Sequence, residues 1–262
     1  MAEEEINIYS VCGIYGLFEH ITSYLNAKSI LNFLESSFVK QLDQGDGEKT
    51  YQKCIEKITK TTQLFELHRR YRRESKDVSP FVYACEKGRM YDVQLFVNLH
   101  PFHKYYIRMK GVNDHDMTLK EYVNQLGKDS YGYECTPLIA AAFGEHFQVV
   151  QYLIEHSEAD PNIATSVGFN ALHWAAWTNR TNTKLTELLL TNMSLGSINK
   201  KEAVYGSTPL DLAYRFNKSP IKQKIIDLIR SKGGKANLYD ANGRLVGDGN
   251  GDLNDLHNVI KS

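Results

Sequence analysis

Thr136-Pro137-Leu138-Ile139-Ala140-Ala141-Ala142 is the stretch on which the fold turns, because the same phrase recurs. It returns as Thr208-Pro209-Leu210-Asp211-Leu212-Ala213, and in variant form as Ser79-Pro80-Phe81 and Asn170-Ala171-Leu172. Each copy reads as the start of a helix. Thr or Ser suits the N-cap, and Pro fits the first helical position, where no backbone donor is needed. A second apolar helix follows each time, marked by Leu95-Phe96, Val149-Val150, Leu188-Leu189-Leu190 and Ile225-Ile226. Paired alanines let the two helices of a copy approach closely. Gly88, Asn179 and Asn217 stand where the first helix ends, and are expected to take a left-handed turn there. Positions 80, 137, 171 and 209 are 57, 34 and 38 apart. Self-similarity at such a period means stacked repeats rather than one globular core.

The third copy is preceded by Gly168-Phe169 and runs on through Leu172-His173-Trp174-Ala175-Ala176; the second is followed by His146, Val149-Val150 and Leu153-Ile154, then Ala159-Asp160-Pro161-Asn162. These residues resemble the ankyrin repeat. The resemblance implies an all-α solenoid of helix pairs joined by short β-hairpin loops, with protein binding as its usual role. It also implies that His173 is a structural hydrogen-bonding residue. Glu134 stands where the family turns on glycine, so that hairpin is expected to be distorted. The family's freely varying positions line its concave face. Here they are Tyr133, Phe143, Phe169, Trp177, Tyr205 and Phe216, all aromatic, and they are the expected partner-binding residues. Trp174 is assigned to the core.

Four such repeats are expected over residues 77–238. Against a repeat of about 33 residues, the first gap carries about 24 extra. This insertion, near 98–130, holds Phe102, Tyr105 and Tyr106 and a short helix from Thr118 to Leu126. It is either a binding finger or a loop folded over its own repeat. Residues 239–262 form a Gly/Asp-rich tail, where Asp248-Gly249-Asn250-Gly251-Asp252 has a calcium-like look. Counting from Asp248, loop positions six and twelve are Leu253 and Val259, which an EF-hand does not use, so a polar turn is the reading.

Residues 1–76 lack the repeat but show helical spacing. Leu17, Phe18, Ile21, Ser23, Tyr24, Leu25 and Ile30 resemble the core of an F-box, whose family docks onto the adaptor of a cullin-based ubiquitin ligase. The F-box's usual Leu-Pro opening is replaced by Gly13-Ile14. The resemblance implies an adaptor-binding role for Leu17, Phe18, Ile21, Tyr24, Leu25 and Ile30; the alternative is a helical cap on the first repeat.

Composition narrows the function classes. Lys+Arg and Asp+Glu both number 31, so net charge steers the chain toward neither nucleic acid nor membranes. The basic run His68-Arg69-Arg70-Tyr71-Arg72-Arg73 reads as a solvated helix end. No apolar run approaches the length of a membrane span. Cys12, Cys54, Cys85 and Cys135 have no paired spacing, which suggests reduced thiols in the cytoplasm or nucleus. The acidic start, Met1-Ala2-Glu3-Glu4-Glu5, argues against a secretory signal. Asn113-Asp114-His115-Asp116 has metal-ligand types, but consecutive residues do not converge on one ion. No nucleophile motif, phosphate loop or dinucleotide fingerprint occurs. The expectation is therefore a non-enzymatic interaction module or scaffold, without cofactor or metal. It binds another protein through the concave face; the alternative is an F-box-like substrate adaptor.

Overall fold

A computed structural model of the chain describes residues 47–74, 77–103, 117–180, 182–240 and 242–244. The F-box-like stretch 17–30, Tyr105, Tyr106, the 113–116 cluster and the 248–252 run lie outside these residues. The chain divides into two compact units, 1–67 with 101–116 and 68–100 with 117–262. In the first unit, the described residues include the start of a long helix, α1 (Gly47–Glu74). The second unit carries the end of α1 and every other element below; Pro101–His103 belong to the first.

Four helix pairs follow one another: α2 (Pro80–Glu86) with α3 (Met90–Asn98), and α5 (Pro137–Phe143) with α6 (Phe147–His156). Then come α7 (Ala171–Thr178) with α8 (Lys184–Asn192), and α10 (Pro209–Phe216) with α11 (Lys222–Ser231). Two short helices stand between them: α4 (Leu119–Asn124) and α9 (Leu195–Ile198). The first helices pack in sequence, α2 on α5, α5 on α7 and α7 on α10. Small residues make this possible: Ala140, Ala141, Ala142, Ala175, Ala176 and Ala213 are all buried. The second helices bury Val149, Val150, Leu153, Leu185, Leu189, Ile225, Ile226 and Ile229 between the layers.

The caps explain where the helices begin. Thr136 Oγ1 accepts from the Ile139 N–H at 3.2 Å. Thr208 forms a reciprocal capping box with Asp211, and Asn170 one with His173. Ser79 departs from the pattern, since its hydroxyl caps nothing and instead accepts from the Lys128 N–H at 3.0 Å. The left-handed turns also differ from expectation. Gly88 takes φ +66, but Asn179 and Asn217 do not, and Glu145 adopts φ +60 after α5. The two asparagines are used through their side chains. Asn217 Nδ2 donates to the Ala176 carbonyl at 2.8 Å, and Asn179 Nδ2 to Thr186 Oγ1 at 3.2 Å. Asn217 thereby satisfies a buried carbonyl at the end of α7, and Asn179 ties that end to a side chain of α8.

The first hairpin is regular rather than distorted. β1 (Gly127–Lys128) pairs antiparallel with β2 (Glu134–Cys135), and Gly132 at φ +85 makes the turn two residues before Glu134. A single device closes this hairpin and the later ones. Asp129 Oδ1 accepts from the N–H groups of Tyr131 and Tyr133. Thr165 Oγ1 accepts from Phe169, and Glu202 from Val204, Tyr205 and Ser207. Asp240 Oδ1 accepts from Asn242 and Arg244. The last of these lies in the stretch read as a tail, yet it repeats the Asp-x-x-Gly spacing of Asp129 and Gly132.

Gly168 shows what close approach adds to turn geometry. It sits at φ +88, and a Cβ there would meet the Lys201 carbonyl at 2.9 Å and Glu202 Cα at 3.0 Å. At Gly132 nothing lies within 4 Å. Gly168→Ala is expected to cost more than about 1 kcal/mol, and Gly132→Ala distinctly less. Denaturant melts of the two variants measure the difference; equal losses would mean that backbone strain alone decides both.

The part of the insertion from Met117 on lies against the repeats. Thr118 caps α4 in a box with Glu121. Tyr122 and Val123 are buried, and Tyr122 stacks on Phe81 at 5.2 Å. Asn124 Nδ2 donates to the Glu158 carbonyl, while its Oδ1 accepts from Asp160. Phe102 is half-buried. The end of α1 meets the first helix pair in a similar way. Tyr71 is fully buried and donates to Asp92 at 2.5 Å, while Arg89 pairs with Glu74 through both of its terminal nitrogens. In the basic run His68 and Tyr71 face inward, while Arg69, Arg70, Arg72 and Arg73 are exposed.

Candidate functional site: an aromatic ladder and its pocket

Residues just beyond the small side chains of successive first helices come into register when the repeats stack. Phe143, Trp177 and Phe216 hold these places on α5, α7 and α10. They do not touch in a simple row of three. Phe143 meets Trp174 edge-on at 4.9 Å, Trp174 stacks on Trp177 at 5.4 Å, and Trp177 stacks on Phe216 at 4.9 Å. Tyr131, at the tip of the first hairpin, extends the run by meeting Phe143 edge-on at 5.6 Å. Arg215 closes the other end, its guanidinium 5.0 Å from the Phe216 ring and 5.8 Å from that of Tyr205. The result is one continuous ladder of rings crossing three repeats.

The six expected site residues are not equally accessible. Phe143, Trp177 and Tyr205 are half-buried. Tyr133, Phe169 and Phe216 are only 7, 1 and 7 % exposed, against an expectation of open positions. They are walls beneath the surface: Phe169 packs on Trp174, Phe216 lies between Trp177 and Arg215, and Tyr133 lines the pocket described next. Trp174 is buried at 7 %, as expected of the core, but it is also the link between Phe143 and Trp177. Tyr131, 47 % exposed, is the ring that sequence reasoning missed. Its position at a hairpin tip, two residues before Tyr133, was the available signal.

Between the Asp129–Cys135 hairpin and the Thr165–Phe169 turn lies a pocket of about 190 Å³. Tyr133, Phe143, Phe169 and Trp174 line it, with Asp129 and Glu134. Burial pushes the Cys135 thiol well above its ordinary range, and the negative charges of Asp129 and Glu86 push in the same direction. Burial raises Tyr133 as well, again helped by Asp129. Asp129 itself is raised by burial, against the backbone N–H groups that favour its charge. A thiol held protonated in this way is a poor nucleophile or ligand.

His173 sits behind the ladder at the joint between two repeats and is fully buried. Its Nδ1 lies 2.8 Å from Asn170 Oδ1 and 3.2 Å from the Asn170 backbone nitrogen, and its Nε2 lies 3.4 Å from the Ser207 carbonyl, so both ring nitrogens have polar partners. Burial depresses its pKa to about 3. This is the structural histidine that the resemblance implied. Among the described residues, no group of three His, Cys, Asp or Glu side chains is gathered as for a metal ion, and no helix is long and apolar enough to cross a membrane.

Residues 109–202 match the family model of ankyrin repeats in three copies. The match takes in α4 through α9 and therefore most of the ladder. The helix pairs on either side, α2–α3 and α10–α11, lie outside it and repeat the same architecture. No curated protein matches the chain.

Proposed function

We propose that this protein is a non-catalytic interaction module that holds a partner protein against the aromatic ladder of its repeat stack. Ankyrin repeats are generally protein–protein interaction modules, and the ladder is the observation that carries the reading here. Tyr131, Phe143 and Trp177 offer ring surface to solvent on a base of buried rings. Such anchors bury much area and have few torsions to freeze, which is the character of interface hot spots.

Trp177→Ala tests it. A true hot spot costs on the order of 2 kcal/mol in binding, so affinity for a partner captured from the native cell should fall at least about tenfold. The thermal transition should move little, because Trp177 is half-buried. If the variant unfolds while its folded fraction binds as before, Trp177 is core and the reading falls. The same capture addresses the adaptor alternative for Leu17, Phe18, Ile21, Tyr24, Leu25 and Ile30. Recovery of a ubiquitin-ligase adaptor that is lost when Tyr24 and Leu25 are made charged would favour it.

A further inference from the structure

The ladder is apolar, but the pocket at its first-hairpin end is not neutral in character. Its volume, about 190 Å³, is below the ~300–1,000 Å³ of pockets that hold drug-sized ligands. One long side chain is the scale of occupant it fits. Four of its walls are the rings of Tyr133, Phe143, Phe169 and Trp174. Ring faces carry negative potential and attract cations.

The polar group in the pocket reinforces that preference. Asp129 is 6 % exposed, and its Oδ1 takes the N–H groups of Tyr131 at 2.9 Å and Tyr133 at 2.8 Å. The Gly132 N–H also acts on the carboxylate, and among the described residues no cation pairs with it. Glu134 adds a second carboxylate at the rim. The nearby buried Glu86 already has a cation, since Lys87 Nζ meets it at 2.6 Å. Lys128 is the basic residue of the lining; it is exposed, where solvent screens its charge. Burial is the main cause of the upward shifts of Tyr133 and Cys135, and the charge of Asp129 adds to both.

We infer that this pocket receives a single arginine side chain of the partner, with its guanidinium against the rings and its charge facing Asp129. The inference rests on the interaction-module reading and specifies the partner's chemistry. Arginine suits the site better than lysine for a physical reason. Its guanidinium is planar, weakly hydrated and able to stack on a ring while donating sideways to a carboxylate, whereas an ammonium holds its water more tightly. An apolar side chain would bury Asp129 further without compensation, and an acidic one would meet like charge.

The full chain contains two tryptophans, so its two indole N–H signals are direct NMR reporters of Trp174 and Trp177. N-acetyl-arginine methylamide is titrated against the citrulline and lysine counterparts; citrulline has the same shape without the charge. The Trp174 signal should shift saturably with the arginine probe, and citrulline should bind about tenfold more weakly or worse. Asp129→Asn keeps the Oδ1 acceptor that the hairpin needs, and should weaken the arginine probe by a similar factor while the melting temperature holds. No arginine-dependent shift in the unmodified chain, or equal affinity for citrulline, would overturn the inference without recourse to any variant. The Trp177→Ala capture distinguishes the two failures. Loss of partner there with no arginine binding leaves the ladder reading and removes the arginine pocket. Arginine binding with unchanged partner capture does the reverse.

Discussion

Leu189→Ala should destabilise the protein by about 2–5 kcal/mol, the range for removing a buried leucine side chain where the surroundings relax only partly. Leu189 is fully buried on α8, and this helix packs against α7, α6 and α11. The site is thus enclosed by its own repeat and both neighbours. In a repeat stack each repeat touches only the next, so a cavity at such a joint weakens an internal interface and its coupling together. Leu188→Ala is the control: the residue is only half-buried, and its loss should be clearly smaller. Urea melts followed by circular dichroism measure both. Equal losses at 188 and 189 would mean that the α8 register described above is wrong.

Acid should weaken the same array through His173. An unfolded histidine takes up a proton near pH 6.5, whereas the buried one resists until about pH 3. Across that window the unfolded state binds more protons, so falling pH favours it. The contribution is fully present above about pH 6.5 and is progressively lost toward pH 3. A shift of this width corresponds to something on the order of 4–5 kcal/mol, at about 1.4 kcal/mol per unit. His173→Gln keeps a polar group for Asn170 and Ser207 but cannot titrate. It should lower stability at neutral pH and flatten the slope between pH 6 and 4. An unchanged slope in the variant would assign the acid sensitivity to other groups.

Both predictions concern residues whose type was readable along the chain but whose consequences depend on the stack. Helix starts were legible because capping is local. Thr136, Asn170 and Thr208 each bind backbone within three residues, as does Thr118 in the box that opens α4. The apolar pairs on the second helices were legible because one helical period puts them on one face. Where a residue's partner lies in another element, local reading failed. The Ser79 hydroxyl accepts from the Lys128 N–H, and Asn217 reaches back to Ala176. The Asp240 turn was missed although its spacing matches that of Asp129, since polar composition masked the motif.

The candidate site divides along the same line. Its aromatic content, and the stacking of equivalent positions in successive repeats, follow from the sequence alone. Which rings are surface and which are wall does not. Tyr133, Phe169 and Phe216 are buried, Trp174 slips between Phe143 and Trp177, and Tyr131 arrives from a hairpin tip. The pocket around Asp129 likewise exists only because two hairpins, one repeat apart, face each other across those rings. Caps and periodicity act over three or four residues and are written in the chain. The ladder and its pocket depend on the displacement from one repeat to the next, which many weak contacts across the whole interface decide together.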